Sequence, residues 1–185
     1  MVLTFCNGKG GVGKSTLSVL TTLLLEQSGM AAGLIDRDPQ ASATFWLQNL
    51  GREQAKPDGN YDHWIIDTPP NLSSPLFTES VRQADRIVVV CSPSPTDLWT
   101  TKETVNAISA LKQPHAKVLL LFNRVKTNTT LARGIDQLAD KLGAPRIPRI
   151  LTDRQAFQHA SLYGIEGLSD EALEELSEVI KVILT

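Results

Sequence analysis

The sequence predicts a three-layer α/β/α sandwich with a mostly parallel central sheet, folded as one domain over residues 1–185. Three observations predict it. Short apolar runs alternate with longer helical patterns along the chain, as repeated strand–helix–strand units do. Those runs are apolar at nearly every position, which suits strands covered on both faces. A length of 185 residues, with 42% hydrophobic and 21% charged residues, is enough to bury a substantial core.

The first strand is Val2–Cys6, and a glycine-rich turn follows it. A helix is expected from Lys14 to about Ser28, closed by Gly29, because glycine commonly stops a helix at its C-terminal end. Gly33–Asp36, Trp64–Asp67, Arg86–Cys91 and Lys117–Phe122 are four further strands, and Arg146–Pro148 is a candidate sixth. Gly51 to Asn60 is polar, carries Pro57 and Gly59, and reads as a loop. Thr96 is expected to cap a helix with Leu98, Val105, Ile108 and Leu111 on it. Thr129 or Thr130 caps the next, with Leu131, Ile135, Leu138 and Leu142 on one face and Gly143 at its end. Ser169 caps a last helix striped by Leu173, Leu176, Ile180 and Ile183.

Composition excludes several classes. No run approaches the ~18 apolar residues of a membrane span. Met1 to Cys6 leads straight into glycines with no basic leader, unlike a secretory signal. Cys6 and Cys91 both end expected strands and read as reduced core thiols of a cytoplasmic protein. His63, His115 and His159 share no metal-ligand spacing. Net charge is −2, so a polyanionic partner would need a local basic patch.

The strongest motif is Gly8-Lys9-Gly10-Gly11-Val12-Gly13-Lys14-Ser15, which fits the phosphate-binding spacing G-x-x-x-x-G-K-[ST] in full. It lies between an expected strand and an expected helix, the setting the motif requires. Glycines let successive backbone N–H groups turn inward, and the helix that follows adds its positive end. Lys14 is placed to reach the β- and γ-phosphates of ATP, and the Ser15 hydroxyl to bind Mg²⁺. Downstream, Asp36-Arg37-Asp38-Pro39-Gln40 ends the second strand, where the Asp36 carboxylate can hold Mg²⁺ through water. Asp38 stands two residues on, placed to orient an attacking water. Asp67 ends an apolar strand in Asp67-Thr68-Pro69-Pro70, at the crevice edge of a parallel sheet.

Lys9 near the start of the loop, the Asp-x-Asp-Pro-Gln segment and the Asp-Thr-Pro-Pro segment, in this order, resemble the ParA/MinD family of deviant Walker A P-loop ATPases. Ser92-Pro93-Ser94-Pro95 after the fourth strand and Phe122-Asn123-Arg124-Val125 after the fifth resemble it too. The likeness runs from Met1 to about Gly164. One departure is the short polar connection from Gln40 to Tyr61, where longer relatives insert another helix and strand. The chain therefore resembles the compact ParA proteins of plasmids.

The resemblance implies a slow, partner-stimulated ATPase using ATP and Mg²⁺. Lys9, Gly10, Gly11, Val12, Gly13, Lys14, Ser15 and Thr16 would hold the phosphates, while Ser15, Asp36 and Asp67 would hold the metal. Loss of Asp38 would stop hydrolysis and spare ATP binding. Asn123, Arg124 and Pro148 would surround the adenine; for Asn123, a plain strand-end turn residue is the alternative. Lys9 would cross to the phosphates of a second subunit in an ATP-dependent homodimer, unless it is a solvated surface lysine. Members of this kind bind DNA without sequence preference and answer to a ParB-like or adaptor activator, which implies nucleoid association. Residues 124 to 154 hold seven basic against three acidic side chains, a local +4, with Lys126, Arg149 and Arg154 the preferred DNA contacts. A set of solvated surface charges is the alternative. The cargo would be a plasmid, a chromosome region or a protein body such as a carboxysome. A MinD-like membrane helix is disfavoured: from Glu166 onward six acidic residues face Lys181 alone, a local −5 that anionic lipid repels.

Overall fold

The structure is a computed structural model that describes residues 1–185. Its centre is a five-stranded, wholly parallel sheet in the order β2-β3-β1-β4-β5. The strands are β1 (Val2–Cys6), β2 (Ala32–Asp36), β3 (His63–Asp67), β4 (Arg86–Cys91) and β5 (Lys117–Phe122). All five expected strands are present, with β2 and β3 starting one residue early.

Alternate residues of β1, β4 and β5 feed two separate cores, while β2 and β3 contribute Ala32, Leu34 and Ile65 to the first. Leu3, Phe5, Val88 and Val90 pack with Leu17, Leu20, Leu176 and Ile180 on one face. Cys6, Ile87, Val89 and Cys91 pack with Phe77, Val81, Ile108 and Leu142 on the other. The period-two alternation therefore survives inside continuous apolar runs, because both faces are covered. This is the expected sandwich.

Helix α1 (Lys14–Gln27) stops at Gly29, whose φ of 80° is the left-handed stop glycine supplies. Helix α2 (Ser42–Asn49) occupies part of the connection expected to be only short and polar. Its N-cap, Ala41, makes no side-chain cap bond. Asp36 does that work from outside the helix: its Oδ2 accepts from Thr44 N at 2.8 Å and from Thr44 Oγ1 at 2.9 Å. Helix α3 (Pro75–Gln83) starts on Ser74, whose hydroxyl accepts from Leu76 N, with Pro75 at the first position.

Helix α4 (Pro95–Leu111) corrects the expected cap. Ser94, not Thr96, is the N-cap, and Thr96 lies inside the first turn because Pro95 takes the position where its missing N–H is not needed. The single helix expected up to Leu142 is two: α5 (Thr130–Arg133), capped by Thr129, and α6 (Ile135–Leu142), divided at Gly134 and ended at Gly143. Helices α7 (Ala156–Tyr163) and α8 (Asp170–Leu184) follow, the second capped by Ser169 as expected.

No sixth strand forms. Arg146 makes one isolated parallel bridge to Leu120, and Thr152 another to Val125. Ile147 N donates to Leu120 O, but the next bond to the sheet comes from Leu151 N to Phe122 O, so residues 148–150 loop out of register. Pro148 has no N–H for the position where the ladder would have continued.

Candidate nucleotide site

Parallel register fixes the site's frame. Asp67 pairs with Asp36 on one side and with Phe5 on the other, so both carboxylates stand at the strand ends beside the glycine-rich loop. The loop joins β1 to α1. Gly13 is its tightest point: φ is 103°, and a Cβ there would lie 2.4 Å from Asn123 Nδ2. Asn123 is buried and donates from Nδ2 to Val12 O at 2.8 Å, so the end of β5 supports the loop from below.

Three residues that sequence reasoning passed over hold the first half of the loop. Asn7 donates to Val90 O at 2.7 Å and to Thr101 Oγ1 at 3.0 Å. Gly8 N donates to Thr104 Oγ1 at 2.9 Å, and Lys9 N to Asn7 Oδ1 at 2.9 Å. Thr101 and Thr104 lie one turn apart on α4, a polar pair on an otherwise apolar helix face. That spacing was the available signal.

Lys14 is buried and folds back along the loop, donating from Nζ to Lys9 O at 3.1 Å. Burial lowers its pKa first of all, while Asp67, Cys6 and Asp38 push it back up. Asp67 is fully buried. Its Oδ1 accepts from Ser18 Oγ at 3.3 Å, whereas its Oδ2 is buried with no partner. Burial is the leading cause that raises the Asp67 pKa to about 7, with the Ser15 hydroxyl opposing it. Beneath them the Cys6 thiol is free and buried, and burial pushes it up to about 12, which makes it inert.

Asp36 is more occupied than the sequence implies. Besides Thr44, it accepts Asp38 N on Oδ1 at 3.0 Å. Asp38 Oδ1 in turn accepts Gln40 N at 3.0 Å, so the segment is a pair of short aspartate turns. Between them Arg37 points away and binds Ser80, Glu79 and Gln83 on α3. Lys9 Nζ lies 3.8 Å from Asp97 Oδ1 and is about half exposed.

These residues fit a magnesium-bound triphosphate. Gly11 and Gly13 hold the loop at positive φ, a buried ammonium has no carboxylate within ion-pair distance, and an orphaned oxygen of Asp67 stands at the adjoining strand end. No group of three or more His, Cys, Asp or Glu side chains closes on a cation, so Mg²⁺ would need phosphate and water oxygens to complete its shell.

Beside the loop opens a cleft of about 300 Å³, lined by Gly13, Ser15, Thr16, Asn123 and Arg124 and by Trp46 and Phe157 from α2 and α7. Arg124 has a left-handed φ of 56°. Two expected placements change here. Pro148 does not line this cleft; Thr152, Asp153 and Arg154 do, because the looped-out residues 148–150 delay the chain's return to the end of β5. Arg154, expected as a DNA contact, is part of the cleft wall and is bound to Glu175 at 3.1 Å. Arg149 is paired with Glu178 at 3.0 Å, and Lys126 is exposed.

A parallel α/β sheet whose first strand runs through a glycine-rich, lysine-bearing turn into a helix, with acidic strand ends beside it, defines a P-loop nucleotide-binding protein. The chain belongs to the CobQ/CobB/MinD/ParA nucleotide binding domain family, which matches residues 3–167. It is 27% identical to the maintenance of carboxysome distribution protein A of Halothiobacillus neapolitanus, over 96% of this chain and 95% of that one. It is 30% identical to the protein of the same name from Gloeobacter kilaueensis, over 90% of this chain and 83% of that one. Among solved structures, apo McdA of Cyanothece superposes with a TM-score of 0.79 at 18% identity, covering 100% of this chain and 99% of that one. A ParA family ATPase of Chlorobium tepidum superposes with a TM-score of 0.76 at 17% identity, covering 99% and 98%. The fold is thus that of ParA/MinD-type ATPases.

Proposed function

We propose that this protein is a slow ATPase of one domain whose ATP-bound homodimer positions a cargo, a protein body of the carboxysome kind, over nucleoid DNA in the cytoplasm. The observation that carries the ATPase reading is the meeting of buried Lys14, the orphaned Asp67 oxygen and the Gly13 turn at one strand-end crevice. The protein-body cargo rests on the two relatives named for carboxysome distribution, which match nearly the whole chain. A plasmid or chromosome cargo uses the same site chemistry and is the second reading.

In this reading the loop N–H groups and Lys14 hold the β- and γ-phosphates. Ser15 and Asp67 would hold Mg²⁺, and Asp36, whose oxygens accept from Asp38 N and from Thr44, would act on it through water. The metal, when bound, neutralises charge on the phosphate oxygens. Asp38 orients the water whose oxygen bonds to the γ-phosphorus as the bond to the bridging oxygen of ADP breaks. Asn123 and Arg124 face the nucleoside side of the cleft. Lys9 is free to leave Asp97, since their 3.8 Å separation is a loose pair and the lysine is half exposed. In the dimer it would neutralise the partner subunit's phosphates, in the manner of an arginine finger.

DNA contact falls to Lys126 and Arg149, with affinity from phosphate neutralisation and hence salt-sensitive. An adaptor protein of ParB kind would stimulate turnover. Stable membrane binding is not part of the reading: Leu176, Val179, Ile180 and Ile183, the apolar stripe of α8, are packed in the core. No helix is long and apolar enough to cross a membrane.

Size-exclusion chromatography with ADP and with ATP, followed by a DNA gel shift, tests this. Asp38→Ala with ATP is expected to elute as a stable dimer that retards DNA of any sequence; a monomer with ATP would sink the reading. Lys9→Ala is expected to bind ATP with near-unchanged affinity yet remain monomeric. If it dimerises as the wild type does, Lys9 is only a surface charge.

A further inference from the structure

The last helix carries one residue that its packing does not explain. Five of the buried residues of α8 are apolar: Ala172, Leu176, Val179, Ile180 and Ile183. The sixth is Glu175, 6% exposed, set among them one residue before Leu176. A carboxylate taken out of water needs full compensation by partners. All of its partners lie on one short segment. Its Oε2 accepts Thr152 N at 2.9 Å, and its Oε1 accepts Thr152 Oγ1 at 2.7 Å and Arg154 Nη2 at 3.1 Å.

That segment, Thr152 to Arg154, lines the cleft of about 300 Å³ together with Ser42 and Trp46. Its backbone is otherwise held only by Val125, just past β5, through Val125 N to Leu151 O and Asp153 N to Val125 O, bonds that leave the side chains of Thr152 and Arg154 unfixed. Past that point the chain turns into α7, whose N-cap Gln155 makes no side-chain cap bond. Without Glu175, the Thr152 N–H and hydroxyl would lose their partner and Arg154 its counter-charge. The wall would then be free to shift.

We infer that Glu175 is a positioning residue for the nucleoside half of the site, fixing Thr152 and Arg154 so that the cleft is formed before nucleotide enters. The inference rests on the reading that this cleft takes the nucleoside of ATP. The loop half of the site, 13 to 16, receives no hydrogen bond from Glu175, and Asn123 supports it through Val12 O instead. The two halves can therefore be read apart: ATP uses both, whereas inorganic tripolyphosphate uses only the loop.

The experiment is calorimetric titration of wild type, Glu175→Ala, Glu175→Gln and Thr152→Val with ATP and with tripolyphosphate, each with Mg²⁺. Wild type is expected to bind ATP more tightly than tripolyphosphate. Glu175→Ala is expected to lose about tenfold in ATP affinity, the worth of a hydrogen bond or two, with tripolyphosphate unchanged. Glu175→Gln keeps an acceptor for Thr152 and should recover part of that loss, and Thr152→Val should lose a few-fold. Should Glu175→Ala fail to fold, the other two variants give the same ratio. Equal losses for both ligands, or an unchanged ratio in all variants, would overturn the inference and leave Glu175 a packing residue. If wild type itself binds the two ligands equally, the nucleoside reading of the cleft falls, and the inference with it.

Discussion

Asp67→Asn is expected to stabilise the nucleotide-free protein above pH 7 by up to about 4 kcal/mol while removing most of its gain from ATP and Mg²⁺. Burial raises this carboxyl from 3.8 to about 7. The folded chain therefore keeps the proton over a pH range where the unfolded chain has released it. The associated stability is complete below pH 4 and is lost as pH rises through about 7, because stability falls wherever the native state binds more protons. An amide has no such proton to lose. The attraction of Lys14 already holds the Asp67 pKa below what burial alone would give. Thermal melts of both proteins from pH 4 to 8 check this: the two curves should meet near pH 4 and separate as pH rises. Parallel curves would mean that Asp67 is ionised throughout. With ATP and Mg²⁺ added, the wild type should gain the stability that ligand binding confers, and the variant little of it.

Gly13→Ala carries the second large effect. At φ 103° any side chain is strained, by roughly 1–3 kcal/mol. The new methyl would also lie 2.4 Å from Asn123 Nδ2, so Asn123 must give up its bond to Val12 O. Together these are expected to destabilise the fold by about 2–4 kcal/mol and to weaken ATP binding by at least about 100-fold, since the loop can no longer present its N–H groups as a set. Gly10→Ala is the control. Nothing lies within 4 Å of a Cβ at that position, so its stability should change by no more than about 0.5 kcal/mol. Denaturant melts and nucleotide titration of the two variants separate these outcomes. Similar melts for both would show that Gly13 is not the tight point.

The site and the sheet were legible for the same reason: both are written in contiguous residues. Each strand is an unbroken apolar run, and the loop places its glycines, lysine and serine within eight positions. What escaped reading depends on contacts far apart in sequence. Helices α2 and α7 lack any cap bond from their own N-cap side chains, so no local start signal marked them. Helix α3 did carry such a signal in Ser74-Pro75, and the same Ser-Pro pattern at Ser94-Pro95 shows why Thr96 was the wrong cap. Arg154 reads as a DNA contact in the sequence because its partner, Glu175, lies 21 positions away in a tail that reads only as acidic. The support from Asn7, Thr101 and Thr104 crosses nearly a hundred residues and is likewise silent in the linear text.

The bond from Thr44 to Asp36 makes the five residues between β2 and α2 a ruler. One residue more or fewer in that stretch would rotate the helix start out of reach of the carboxylate, leaving α2 without its anchor and Trp46 without its place in the cleft. Beyond Asn49 the chain is measured again as far as Ala55: Gln54 accepts Asp36 N at 2.9 Å and donates to Thr44 Oγ1 at 2.8 Å, and Ala55 N donates to Leu34 O, so only the polar residues after Ala55, up to Asn60, lie outside these ties. Length can vary there at small entropic expense. Changes of chain length therefore fit between Ala55 and Tyr61, and on neither side immediately next to α2.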